Sequence, residues 1–224
     1  MRIIFIGLIL IQAACSRPTT LVAELTPRSL KAINLEETVS RRDELMMAYS
    51  MTSYDGQNNP VGVVNGGWGV EAMQKGQLAN LQTVQPISLP LPRNGRIVAS
   101  LVLIEVDDYN RASKMMDQVR KVHNVIAGPA ALLLTATEIL TPLKYVAAGL
   151  AASGIGMKLV DQLDDDYLLG QSSDDIREAD LRSKNQRLVH VPAVFTGQNL
   201  RDSFEYQLTY DITLKAASIR PVRQ

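Results

Sequence analysis

The residues in this chain whose types and spacing could do chemistry are five aspartates, Asp107 and Asp108 before a helical stretch and Asp164, Asp165 and Asp166 after it. If that stretch interrupts two adjacent strands, its ends must return to one place and the carboxylates meet. Crowded carboxylates repel unless a cation or water separates them, and calcium takes about six to eight oxygen ligands. Asp107 and Asp108 have a second account, because negative charge is favoured at a helix N-terminus. At a helix C-terminus it is disfavoured, so the triplet is the more informative half. A calcium site and a solvated acidic loop both remain open.

Other patterns carry less. Gly67-Trp68-Gly69-Val70-Glu71-Ala72 fits G-x-G-x-x-A after a short strand. A dinucleotide site also needs an acidic residue about 20 positions on to hold the ribose, and no Asp or Glu occurs between Glu71 and Glu105. A glycine-rich turn between strands is the simpler reading. A hydrolytic triad needs a histidine base. His190 sits in a strand whose neighbours Val189 and Val191 take the opposite face, so it reads as a surface residue. His123 ends a predicted helix, where a cation suits the dipole. Neither accompanies a serine in a G-x-S-x-G turn, and the chain is read as non-enzymatic, an enzyme of unknown type standing third among the functional readings.

The chain of 224 residues suffices for one domain, with a core that needs no disulfide. Its charges balance at 23 basic and 23 acidic, which excludes the basic footprint of a nucleic-acid binder. One cysteine, Cys15, allows neither an intrachain disulfide nor a zinc site built on thiolates.

Cys15 stands in a telling place. Arg2, the apolar run Ile3 to Ile11 and the small residues Ala13-Ala14 make the three parts of a secretory leader. The run is far short of the roughly 20 residues a spanning helix requires. Small residues directly followed by cysteine resemble the lipobox of bacterial lipoproteins. That resemblance implies a signal peptide over 1–14, an acylated Cys15 and a tether over 15–20. It also implies a membrane partner reached through lipid, in the bacterial cell envelope, with the outer membrane ahead of the inner.

Leu21 to Leu25, Ser29 to Leu35, Glu44 to Tyr54, Val61 to Val64, Ile97 to Val106, Leu188 to Phe195 and Phe204 to Leu214 read as strands. Thr83 to Leu91, with Pro86 and Pro90, suits an edge strand or extended loop. Tyr109 to Ile126 is amphipathic and helical; after Gly128-Pro129 a long apolar segment follows, kinked near Pro142. These elements predict a mainly β protein, an antiparallel β-sandwich built from 21–107 and 164–215. An apolar helical hairpin over 108–163 is inserted between two of its strands, and 216–224 is a tail.

Asp164-Asp165-Asp166-Tyr167-Leu168-Leu169-Gly170, ahead of a final alternating strand, resembles the acidic loop and Leu-Gly strand of C2-like β-sandwiches. Arg42-Asp43-Glu44-Leu45 before an alternating strand is similar to an early element of that family. The resemblance implies a sandwich of the C2-like or jelly-roll type and a calcium- or lipid-binding module, the alternative to a scaffold.

The leading functional expectation is a lipid-anchored binding or scaffold component with an envelope protein as partner, a candidate part of a larger secretion or surface assembly. Between Val125 and Met157 the only charged residues are Glu138 and Lys144. Leucines cluster at Leu132, Leu133 and Leu134, where a partner contact is expected, since a large exposed apolar patch is rarely idle. The small residues from Ala148 to Gly156 are expected to pack within the domain.

Overall fold

The alternation from Phe204 to Leu214 becomes the last strand of a two-sheet sandwich, its odd and even residues parted between core and solvent as the period predicts. The computed structural model describes residues 21–36, 41–128, 141–155, 168–184, 186–199 and 202–217. In chain order the elements are β1 (Leu21–Asn34), β2 (Asp43–Tyr54), β3 (Pro60–Met73), β4 (Leu78–Asn80), β5 (Ile87–Leu91), β6 (Arg96–Glu105), α1 (Tyr109–Lys121), α2 (Pro142–Ala152), β7 (Leu168–Arg177), α3 (Glu178–Lys184), β8 (Leu188–Asn199) and β9 (Asp202–Ala216).

An outer sheet runs β4-β1-β9-β8, with β5 also pairing β1, and a middle sheet runs β3-β2-β6-β7. Every pairing is antiparallel. Between the sheets lies the larger core, with Leu25, Tyr49, Met51, Leu101, Tyr206, Leu208, Tyr210 and Ile212 at its centre. A second core joins the far face of the middle sheet to the helices: Met46, Ala48, Val102 and Ile104 meet Met115, Met116 and Val119 of α1 and Val146 and Leu150 of α2. The molecule therefore has three layers. The middle one is buried on both faces, which is why β2 and β6 are buried almost throughout and β6 is mostly apolar.

The expected insertion is between neighbouring strands, since β6 and β7 pair from Arg96↔Arg177 to Ile104↔Leu168. Four details differ from the sequence reading. Leu21–Leu25 and Ser29–Leu35 are one strand, because a register shift between Pro27 and Ser29 absorbs the irregularity without ending the ladder. Val61–Val64 does not stop at Asn65-Gly66-Gly67; β3 runs on to Met73. The glycines make room instead of turning: a Cβ on Gly66 would lie 2.5 Å from the Tyr49 ring, and one on Gly67 2.8 Å from Met116 Sδ. Pro142 opens α2 instead of kinking it, with Thr141 Oγ1 accepting from the Lys144 N–H at 3.3 Å. The fourth is α3, a short helix between β7 and β8 that the sequence reading did not foresee.

Candidate functional site

Of the five aspartates, the structure describes Asp107 and Asp108; Asp164, Asp165 and Asp166 lie outside the described residues. Asp108 is the N-cap of α1, its Oδ1 accepting from the Arg111 N–H at 3.0 Å. That capping bond accounts for a carboxylate at this position without any metal. Asp107 is exposed beside it. Both line a pocket of about 70 Å³ with Glu105, Arg111, Met46 and Met115. It has room for a few waters and is far below the few hundred Å³ of a small-molecule site. Among the described residues no three acidic, histidine or cysteine side chains gather in a way that could hold a metal ion.

Gly67 to Ala72 lies within β3, not at a strand-to-helix turn, so the geometry that cradles a pyrophosphate is missing there. His190 is exposed on the open face of the outer sheet, as the period predicts. Its Nδ1 lies 2.5 Å from Asp211 Oδ1, and Arg28 Nε meets the other carboxylate oxygen at 2.5 Å. The three form an ion cluster across β1, β9 and β8. His123 differs from the expectation of a cation at a helix end. It sits one residue past the α1 C-cap, half-buried, and burial pushes its imidazole below the usual histidine range.

Cys15 and Leu132, Leu133 and Leu134 lie outside the described residues. What the structure does describe is the apolar ground from which the leucine segment departs. Residues 123–127 run along the free edge of β3: Val63 and Ala127 exchange N–H···O bonds of 3.1 and 2.9 Å, and Asn124 N–H donates to Asn65 O at 3.0 Å. Covering an edge this way blocks strand-to-strand association there. The same stretch holds out Val125 and Ile126, each about half exposed, and Val61 near the start of β3 is exposed as well. The small-residue row divides. Gly149 is buried against the middle sheet, while Ala148 and Ala152 are half-buried. Asn65 explains Gly149: its Nδ2 donates to Gly149 O at 2.8 Å and to Ser153 Oγ at 2.7 Å. A Cβ on Gly149 would sit 2.4 Å from Asn65 Oδ1.

At the end of the sandwich where β1 begins, opposite the end that bears Asp107 and Asp108, is a larger cavity of about 420 Å³. Leu21, Leu181, Leu214 and Ala216 give it an apolar wall, and Arg182, Gln186 and Arg187 complete it. No sequence signal marked it, because its residues come from three separate stretches of chain.

Compared with known proteins, the chain matches no family model and no curated protein. Among the described residues, no helix is long and apolar enough to cross a membrane.

Proposed function

We propose that this protein is a lipid-anchored component of the bacterial cell envelope, acylated at Cys15, whose sandwich binds or scaffolds an envelope protein without catalysing a reaction. The observation that carries the binding role is the apolar patch of Val61, Val125 and Ile126 on the covered edge of β3. The chain leads from that patch toward Leu132, Leu133 and Leu134, the expected partner contact. Support for the sandwich's finer type is the path of the chain, which changes sheet between β1 and β2, β3 and β4, β5 and β6, and β7 and β8. Repeated crossing of this kind suits a C2-like or jelly-roll arrangement, with the connection from β6 to β7 as its apolar helical hairpin. Calcium at Asp164, Asp165 and Asp166 is the second reading, favoured by the β6–β7 pairing that returns the ends of that connection to one place.

Mass spectrometry of protein made in a bacterial host tests the anchor: the mature chain should begin at Cys15 and carry acyl mass. An unmodified soluble chain overturns it. For the scaffold role, Val125→Asp with Ile126→Asp should leave thermal stability nearly unchanged while abolishing cross-links to an envelope protein in intact cells. Unchanged cross-linking overturns it. Calcium should raise the melting temperature only if the second reading holds.

A further inference from the structure

The cavity at the head of β1 combines three features. Its wall is aliphatic, with Leu181 and Leu214 buried and Leu21 half-buried beside them. Its rim mixes both signs with arginines in excess, since α3 also carries Glu178 and Asp180. Arg182 and Arg187 border it, and Arg93 and Arg177 stand exposed on the neighbouring turn and strand end, which α3 joins through the bond from Glu178 N–H to Gly95 O. Glu178, itself buried, receives Arg182 Nε and the Asn94 N–H. One edge of the Arg182 guanidinium is thereby fixed, while its other N–H groups remain for a second acceptor, the fork geometry that suits phosphate.

The third feature is position. Leu21 follows Cys15 by six residues, a reach of at most about 20 Å. The opposite end of the sandwich bears Glu36, Asp43, Glu44, Glu71, Asp107 and Asp108. The cationic end is therefore the one held near the membrane if Cys15 carries lipid, and anionic leaflets attract arginines placed close to them.

We propose that this cavity binds an anionic phospholipid of the anchoring membrane, its acyl chain against Leu21, Leu181 and Leu214 and its phosphate on Arg187 and the free edge of Arg182. The inference rests on the anchor reading for its choice of ligand. It adds a second, non-covalent hold on the membrane, and with it a fixed orientation: the end bearing the cavity faces the bilayer and the acidic end points away. A covalent anchor at Cys15 leaves the domain free to turn on its tether, so a second hold that fixes its orientation has a clear physical use.

Native mass spectrometry of the full chain, purified in mild detergent and supplied with equal amounts of phosphatidylglycerol and phosphatidylcholine, tests it. Wild type and Cys15→Ser should both retain phosphatidylglycerol in preference to phosphatidylcholine. Arg187→Glu, exposed and clear of the Arg182–Glu178 pair, should lower that occupancy on the order of tenfold, and Arg182→Gln, which adds no charge against buried Glu178, should lower it as well with the melting temperature checked alongside. Equal retention of both lipids, indifference to the arginine substitutions, a dimer in place of lipid adducts, or no adduct at all each overturns the proposal. The same spectra report acyl mass on Cys15 separately. Loss of that mass with the adduct kept refutes the anchor alone, and the reverse refutes the cavity alone.

Discussion

The two sheets of this sandwich differ in what lies against their far faces. Helices cover the middle sheet, whereas the outer sheet turns one face to water. Polar residues on the two far faces consequently live under different rules. On the open face, Arg28, Asp211 and His190 form an ion cluster, Ser29 Oγ and Thr209 Oγ1 lie 2.8 Å apart, and Lys215 Nζ meets Glu24 Oε1 at 2.6 Å. Water stands ready to replace most of these partners. On the covered face, Asn65, Ser50 and Ser100 line up in register across β3, β2 and β6 and are buried, with Ser173 exposed beside them on the edge strand β7. There a polar group must find a protein partner or lose the hydrogen bonding it had in water. Similar chemistry is marginal on one sheet and decisive on the other.

The most damaging changes should be those in the core the two sheets share. Leu208→Ala or Ile212→Ala should cost about 2–5 kcal/mol, because both side chains are buried between the sheets and a cavity remains when they are trimmed. Thr209→Ala, on the open face of the same strand, should cost little. Urea denaturation of the three variants checks this, and equal losses would mean β9 does not divide the faces as described.

A second rank of effects belongs to the covered face. Gly149→Ala places a methyl against the Asn65 amide and should cost about 1–3 kcal/mol by overpacking. Asn65→Ala removes the donor that holds Gly149 O and Ser153 Oγ, and a loss of about 1–3 kcal/mol is expected because those acceptors sit under the helix. Coupling between the two substitutions, measured as a double-mutant cycle, should be strong. Additive losses would show that α2 does not rest on Asn65.

Legibility in the sequence follows the same division. The outer sheet's β9 alternates with period two and was readable to within two residues at either end. The doubly covered β6 was readable as a nearly all-apolar run. The middle sheet's edge strand β3 was not, because its glycines answer to the Tyr49 ring and to α1, and both clashes come from partners remote in sequence or lying on another element. Pro142 was ambiguous for a local reason: the residue that breaks a helix interior also opens one, and Thr141 decides which. Asp108 was correctly placed at a helix start, yet its capping role and a metal-ligating role look alike in sequence. The cavity at the head of β1 could not be read, since residues 21, 181–187 and 214–216 share no local pattern.

A smaller, pH-dependent effect separates the faces again. His123 lies at the margin of the helical layer, and its burial holds the folded pKa below the ordinary 6.5. The unfolded chain therefore takes up the proton first as pH falls. The stability due to a neutral His123 is complete above that ordinary value and is lost as pH drops through the lower folded pKa. His123→Gln should reduce the difference in urea midpoint between about pH 7.5 and about pH 5. An unchanged difference would mean that the imidazole titrates alike in both states.

The smallest single effects should come from the Asp211 cluster, and that is where the comparison can be broken most sharply. Asp211 is nearly buried, although it belongs to the open face, because Arg28 and His190 lie over it, one on each carboxylate oxygen. Either partner alone leaves the carboxylate with a charged or polar neighbour, and exposed ion pairs contribute only about 0–1 kcal/mol. Arg28→Ala and His190→Ala should each cost about 0.5 kcal/mol or less. If water can reach Asp211 once both are gone, the double substitution should cost no more than the sum, as an open face requires. If the pair instead shields the carboxylate as a lid would, removing both leaves a desolvated charge, and the double loss should exceed the sum by about 1 kcal/mol or more. We expect near-additivity, since the His190 side chain is 73% exposed and the Arg28 side chain 42%, so solvent already stands at the rim of this cluster. A strongly non-additive cycle would show that the outer sheet, too, carries a position governed by the rules of the covered face.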